Sequence, residues 1–173
     1  MGKWQPDIYD GNDIVRFTLG YKGKNVIFIL CANPSKADDK IADKTSLQVQ
    51  NIAKNNGING WIILNLYPLR VTLPSNLPHI RNNKLHSQNI SKIKKILEDY
   101  DNPIIWAAWG NIILMRDYLT ECLNDIYQIT EEHHPTWKCT GITKEDNPRH
   151  PSRLPNDVPL ENFDIKNYLT KVI

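Results

Sequence analysis

The chain has 173 residues, 40 % of them hydrophobic, with 21 Lys and Arg against 19 Asp and Glu. That length predicts one domain over residues 1–173, large enough to fold without a disulfide or metal staple, and the composition excludes a wholly disordered chain. A net charge of +2 does not announce a nucleic-acid partner, although its distribution can still make a basic face.

The first residues, Met1-Gly2-Lys3-Trp4-Gln5-Pro6-Asp7, lack the apolar core of a signal peptide. Residues 14–19 alternate and predict an early strand, turned by Gly20 and Gly23. Residues 25–32 form a continuous apolar run, as in strands buried on both faces of a parallel sheet, and Asn33-Pro34-Ser35 ends it. Thr45-x-x-Gln48 reads as a capping box opening a helix to about Asn56, with Gly57 as the stop. Residues 61–66 predict a second buried strand, followed by a proline-rich loop over 67–83.

Residues 87–100 carry Ile90, Ile93 and Leu97 on one helical face. Residues 104–109 predict a third buried strand, far too short to span a membrane. A helix is expected over 112–126, with Ile112, Met115, Leu119, Cys122 and Ile126 on one stripe. A short fourth strand follows at 137–140, then a polar loop over 141–159 and a last helix over 160–172. Alternating strands and helices predict an α/β three-layer α/β/α sandwich around a central, mostly parallel four-stranded sheet. Cys31, Cys122 and Cys139 are odd in number and lack metal-ligand spacing, which suits a reducing cytoplasm. No metal and no cofactor is expected, and His133-His134 reads as a solvated helix end.

In open α/β sheets ligands bind outside the carboxyl ends of the strands. Four segments lie there: Asn33-Pro34-Ser35, Asn65-Leu66-Tyr67, Trp109-Gly110-Asn111 and Arg149-His150-Pro151-Ser152. Together, in this order, they resemble motifs of the uracil-DNA glycosylase superfamily. Asn33-Pro34 resembles its first turn and Leu64-Asn65 its base-reading asparagine. Trp109-Gly110 resembles its third-strand Trp-Gly, and His150-Pro151-Ser152-Arg153-Leu154 its histidine loop. In wording the chain is closer to an uncharacterised bacterial and phage family, domain of unknown function 1643. That likeness rests on residues 33–38, 64–70 and 141–151.

The resemblance implies a glycosylase-like fold and a monofunctional DNA glycosylase that excises a flipped base. Breaking an N-glycosidic bond builds positive charge on the sugar and negative charge on the base. His150 is then expected to donate to the departing base, and Asn33 to orient water through its amide oxygen, since an asparagine cannot act as a carboxylate base. Pro34, Ser35, Asn65 and Tyr67 are expected at the base, with Asn65 on its Watson–Crick edge. Arg149, Ser152 and Arg153 are expected on DNA phosphates and Leu154 in the gap left in the stack. In the uracil-specific branch a tyrosine follows the proline. Ser35 stands here, which suggests room for a 5-substituted pyrimidine, including hydroxymethylated or glucosylated bases of phage DNA. His79, Arg81, Asn82 and Asn83 are expected to enlarge that pocket, and an anti-phage role is implied. Lys36 leaves a lyase activity open.

Each residue also has a plain structural reading. Asn33 serves as a turn residue, Asn65 satisfies loop backbone, His150 lies on the surface, Leu154 anchors its loop, and Trp106 and Trp109 belong to the core. Two other functions are open on the sequence: a nucleic-acid-binding module without chemistry, and a hydrolase of free modified nucleosides or nucleotides. Double-stranded DNA is the expected partner, with no membrane and no obligate protein partner.

Overall fold

The computed structural model describes residues 4–173, so Met1 to Lys3 of the N-terminal stretch read for a signal lie outside the described residues. The strands are β1 (Ile8–Gly11), β2 (Arg16–Tyr21), β3 (Val26–Cys31), β4 (Gly60–Asn65), β5 (Ile104–Ala107), β6 (Thr136–Cys139) and β7 (Glu161–Asn162). The helices are α1 (Lys44–Asn55), α2 (Asn83–Leu97), α3 (Tyr118–Glu131) and α4 (Ile165–Val172).

The architecture is α/β, but the four-stranded sheet expected from the sequence is corrected to a seven-stranded mixed one, in the order β1-β2-β4-β3-β5-β6-β7. The contiguous pairs β4–β3, β3–β5 and β5–β6 are parallel, whereas β1–β2, β2–β4 and β6–β7 are antiparallel. Strands β1 and β7 are short and half-buried or exposed, so neither carries the apolar run by which a buried strand is recognised.

Alternate residues of the central strands face two separate cores. Phe28, Leu30, Ile62, Leu64 and Ile105 pack with α2, α3 and α4. Ile27, Ile29, Trp61, Ile63 and Trp106 pack with Val49, Ile52 and Ala53 of α1. The chain leaves β3 through α1 on one face and leaves β5 through α3 on the other. Neighbouring strands whose connections part to opposite faces leave a crevice at their carboxyl ends.

The predicted helix starts are corrected. Helix α2 begins at Asn83 rather than at residue 87, and α4 at Ile165 rather than at residue 160, because residues 161–162 form β7; the other two corrections concern α1 and α3. The α1 cap is Asp43, not Thr45: its Oδ1 accepts from Ser46 N at 2.8 Å while Ser46 Oγ accepts from Asp43 N at 3.0 Å. Gln48 instead donates from Nε2 to Leu154 O at 2.6 Å, tying α1 to the loop after His150. The helix expected over 112–126 is two elements, a 3-10 turn (Gly110–Met115) and α3. Arg116 separates them in an extended conformation, its guanidinium donating to the carbonyls of Ser75, Leu77 and Pro78. Those bonds draw Arg116 out of the helix and hold the loop that follows β4.

Among the described residues no helix is long and apolar enough to cross a membrane.

Candidate functional site

A cavity of ≈ 160 Å³ opens at the carboxyl ends of the parallel strands. The loop after β3 contributes Asn33 and Ser35, the loop after β4 contributes Val71, Thr72 and Pro74, and His150 closes it from the loop beyond β6. Two charged residues not singled out in the sequence also line it: Arg16 and Asp43. Arg16 arrives because β2 runs antiparallel to β4, which sets the first residue of β2 at the edge where the parallel strands end. Strand direction is not written in an apolar pattern, so no local signal marks this neighbour.

The Asn33 amide has a fixed orientation. Its Nδ2 donates to Pro34 O at 3.0 Å and to Val71 O at 2.9 Å, which leaves Oδ1 as an acceptor. Arg70 clamps the same loop, donating from Nε to Ser35 O at 3.2 Å and from Nη2 to Lys36 O at 2.7 Å. Asp43 accepts Ser46 N at Oδ1 and Ala37 N at Oδ2, so each carboxylate oxygen keeps a lone pair. Arg16 is 4 % exposed; its Nη1 donates to Ala37 O at 2.9 Å, and its Nε has no partner. Burial draws its pKa below the ordinary guanidinium value, with Asp43 the first charge opposing that shift.

His150 has a fixed tautomer. Ser152 N donates to Nδ1 at 3.3 Å, with Ser152 Oγ 3.0 Å from the same atom, so the proton of the neutral ring sits on Nε2. Burial pushes the His150 pKa down to about 4, with Asp43 opposing. At neutral pH the side chain is therefore an uncharged hydrogen-bond donor. The native ring resists a proton that an unfolded histidine accepts near 6.5. Its contribution to stability is complete above pH 6.5 and is lost as the pH falls toward 4, on the order of 3 kcal/mol. Urea unfolding of the parent and of His150→Gln at pH 7, 5.5 and 4.5 should show the parent's advantage shrinking at acid pH.

The positioning of His150 explains Gly110. That glycine has φ +58, and a Cβ on it meets His150 Cβ at 3.1 Å. Gly110 N also donates to Pro148 O at 3.0 Å, holding the two loops together. Gly110→Ala is expected to cost about 1–2 kcal/mol through the left-handed backbone alone. It should also displace His150, so chemical shifts of the imidazole should move in a variant that still melts cooperatively.

Behind this contact runs a chain of hydrogen bonds. Trp109 Nε1 donates to Tyr168 Oη at 3.1 Å, Tyr168 Oη donates to Asn147 Oδ1 at 2.6 Å, and Asn147 Nδ2 donates to Asn111 Oδ1 at 3.1 Å. It braces the segment that carries His150 against α4.

Beside the cavity, and sharing His150 with it, lies a shallower groove lined by Lys144, Arg149, Arg153 and Leu154. Arg149 and Arg153 are exposed there, and Arg149 Nε donates to Ile142 O at 3.1 Å. Lys144 is a third cation in that groove.

The family described as "Protein of unknown function (DUF1643)" matches residues 16–152. The chain belongs to this family. No curated protein and no solved structure matches it. The DUF1643 match agrees with the closer of the two resemblances read in the motifs, and it spans every residue that lines the cavity.

In this DUF1643 chain several expected site residues lie elsewhere. Asn65 is wholly buried, outside the cavity lining, with Nδ2 3.3 Å from Arg16 O. Tyr67 is 1 % exposed, packs on Tyr118 and accepts from Asn82 N at 3.1 Å; it is a core residue. Pro34 is buried beneath the turn and presents its carbonyl to Asn33 and Val71, while Ser35 lines the cavity itself. Ser152 orients His150. Leu154 is half-buried: it packs against the α1-side core and also lines the groove beside Arg149 and Arg153. His79, Arg81 and Asn83 surround a separate depression, with Arg81 3.4 Å from Glu121, and Asn82 caps α2; the pocket they were expected to enlarge is not theirs.

A second constellation joins α2 to α3. Cys122 Sγ lies 3.3 Å from His86 Nδ1, and His86 Nε2 lies 2.8 Å from Asp125 Oδ2. Cys122 is 0 % exposed, and burial pushes its thiol up to about 12. A buried, protonated thiol is no nucleophile, so this group fastens two helices.

Proposed function

We propose that this chain is a monofunctional DNA glycosylase, acting on a 5-substituted pyrimidine flipped from the duplex and leaving an abasic site. The observation that carries the reading is the meeting of Asn33 and His150 in one cavity with complementary hydrogen-bonding capacity: a free amide acceptor and a neutral imidazole donor. Their order along the chain, each beyond its own parallel strand, favours the likeness to uracil-DNA glycosylases over chance.

The chemistry follows from those groups. Water bound at Asn33 Oδ1 attacks the anomeric carbon as the bond to the base nitrogen breaks. The bonding pair leaves with the base, and His150 Nε2–H donates to the oxygen on which that charge collects. The proton lost by the water ends on the released base. Asp43 supplies the carboxylate that Asn33 lacks, opposing the positive charge of the sugar. Lys144, Arg149 and Arg153 suit phosphates on either side of the flipped nucleotide.

Because the polar residues of the 79–83 segment stand away from this cavity, a small 5-substituent suits the reading better than a glucosylated one. The test is mass spectrometry of bases released from duplexes containing thymine, hydroxymethyluracil, hydroxymethylcytosine or its glucosylated form. Release of one of them with an abasic site supports the proposal, and Ser35→Tyr should then suppress the larger bases most, because a packed pocket tolerates overlap badly. Intact DNA across the whole panel would overturn it. So would cleavage confined to free nucleosides, which would make the chain a nucleoside hydrolase.

A further inference from the structure

Arg16 has donor capacity that the protein does not use. It is 4 % exposed, it lines the cavity, and its Nε–H, enclosed by protein, donates to nothing. Buried donors are almost always partnered, more so when they carry charge. Asp43 lines the same cavity, yet among the described residues Arg16 forms no ion pair. The guanidinium is held by one bond, Nη1 to Ala37 O, on the loop that also carries Asn33 and Ser35. A planar fork of donors can meet only an acceptor, and never an amine.

We infer that Arg16 is a specificity-determining residue that takes a second acceptor oxygen of the ligand, distinct from the one facing His150. This rests on the reading of the cavity as a base pocket. A pyrimidine whose 2-oxygen faces His150 has two ways to supply the second oxygen. One is a keto group at C4, as in uracil and thymine. The other is an oxygen on the 5-substituent, as in a hydroxymethyl group. A plain or 5-methylated cytosine has neither, since its C4 carries an amine. A keto group at C4 has a further consequence. Negative charge on the departing base spreads over both ring oxygens, so the Arg16 contact strengthens as the bond breaks.

The test changes the ligand before the protein. Dissociation constants for the parent chain are measured by calorimetry with four free nucleosides. These are thymidine, the 5-methyl-2-pyrimidinone deoxynucleoside (no oxygen at C4), 5-methyldeoxycytidine and 5-hydroxymethyldeoxycytidine. If the acceptor is the C4 keto group, thymidine should bind at least tenfold more tightly than the pyrimidinone. If it is the 5-substituent, hydroxymethyldeoxycytidine should exceed 5-methyldeoxycytidine by a similar factor. Affinities that are equal across all four, or absent for all four, overturn the inference.

Arg16→Met should erase the preference, and a folded variant that keeps it also overturns the inference. Arg16→Lys, which keeps the charge but loses the fork, should reduce the preference even if the methionine variant does not fold. The two readings fail separately. An Arg16-dependent preference in binding with no base released from any duplex leaves this inference standing and removes the glycosylase. Base release indifferent to both oxygens does the reverse.

Discussion

His150→Ala should lower base release by about 10²–10³-fold, equivalent to about 3–4 kcal/mol of transition-state stabilisation, while leaving duplex binding nearly unchanged. The side chain is a donor because Ser152 N occupies Nδ1, and it is neutral because burial holds its pKa at about 4. The loss should therefore be constant from pH 6 to 8, with no inflection near the ordinary histidine value. Removing the ring also deprives Ser152 N of its acceptor, at about 0.5–2 kcal/mol, so melting must be recorded beside activity. Single-turnover rates on the released base decide the matter. A folded His150→Ala that releases base at the parent rate would remove His150 from the chemistry.

Trp109→Ala should be among the most destabilising changes near the site, at about 3–5 kcal/mol, because the ring is fully buried and a cavity remains where it stood. Against a typical total of about 5–15 kcal/mol that is a large share. Trp109 meets Trp137, Phe163 and Tyr168 with ring centroids at 6.5, 6.0 and 5.5 Å. Trp109→Phe separates packing from hydrogen bonding. It keeps a ring in place but removes the donor to Tyr168, whose own bond to Asn147 remains. The phenylalanine variant should recover most of the stability and, with it, the placement of the His150 segment. Denaturant midpoints for the two variants measure the difference. Equal losses would show that the hydrogen bond, and not the ring, holds α4 to the sheet.

The apolar runs at 25–32, 61–66 and 104–109 were enough to place β3, β4 and β5, because a strand covered on both faces must be apolar throughout. The same logic sets Asn33 and His150 at one end of the sheet: parallel strands joined by helices share the edge where their loops emerge. The edge strands β1 and β7 escaped notice because pairing along one side and partial exposure demand no apolar signature. The false capping box at Thr45 shows a local motif outcompeted by a neighbour. Asp43 lies in reach of two backbone donors, and Gln48 is claimed by a loop more than one hundred residues away.

Asn65 and Tyr67 lie outside the cavity lining for a related reason. A residue at a strand end points either into the crevice or back into the protein, and only the pleat and the neighbouring β2 decide which. Arg16 shows most clearly what sequence alone does not hold. Its arrival in the cavity depends on an antiparallel pairing between β2 and β4, a long-range register that no local pattern encodes. The sequence by itself thus determined the apolar strands β3, β4 and β5 and the edge at which their loops emerge. Tertiary structure decided which polar side chains at that edge turn inward, because that choice is made by packing between segments distant in the chain.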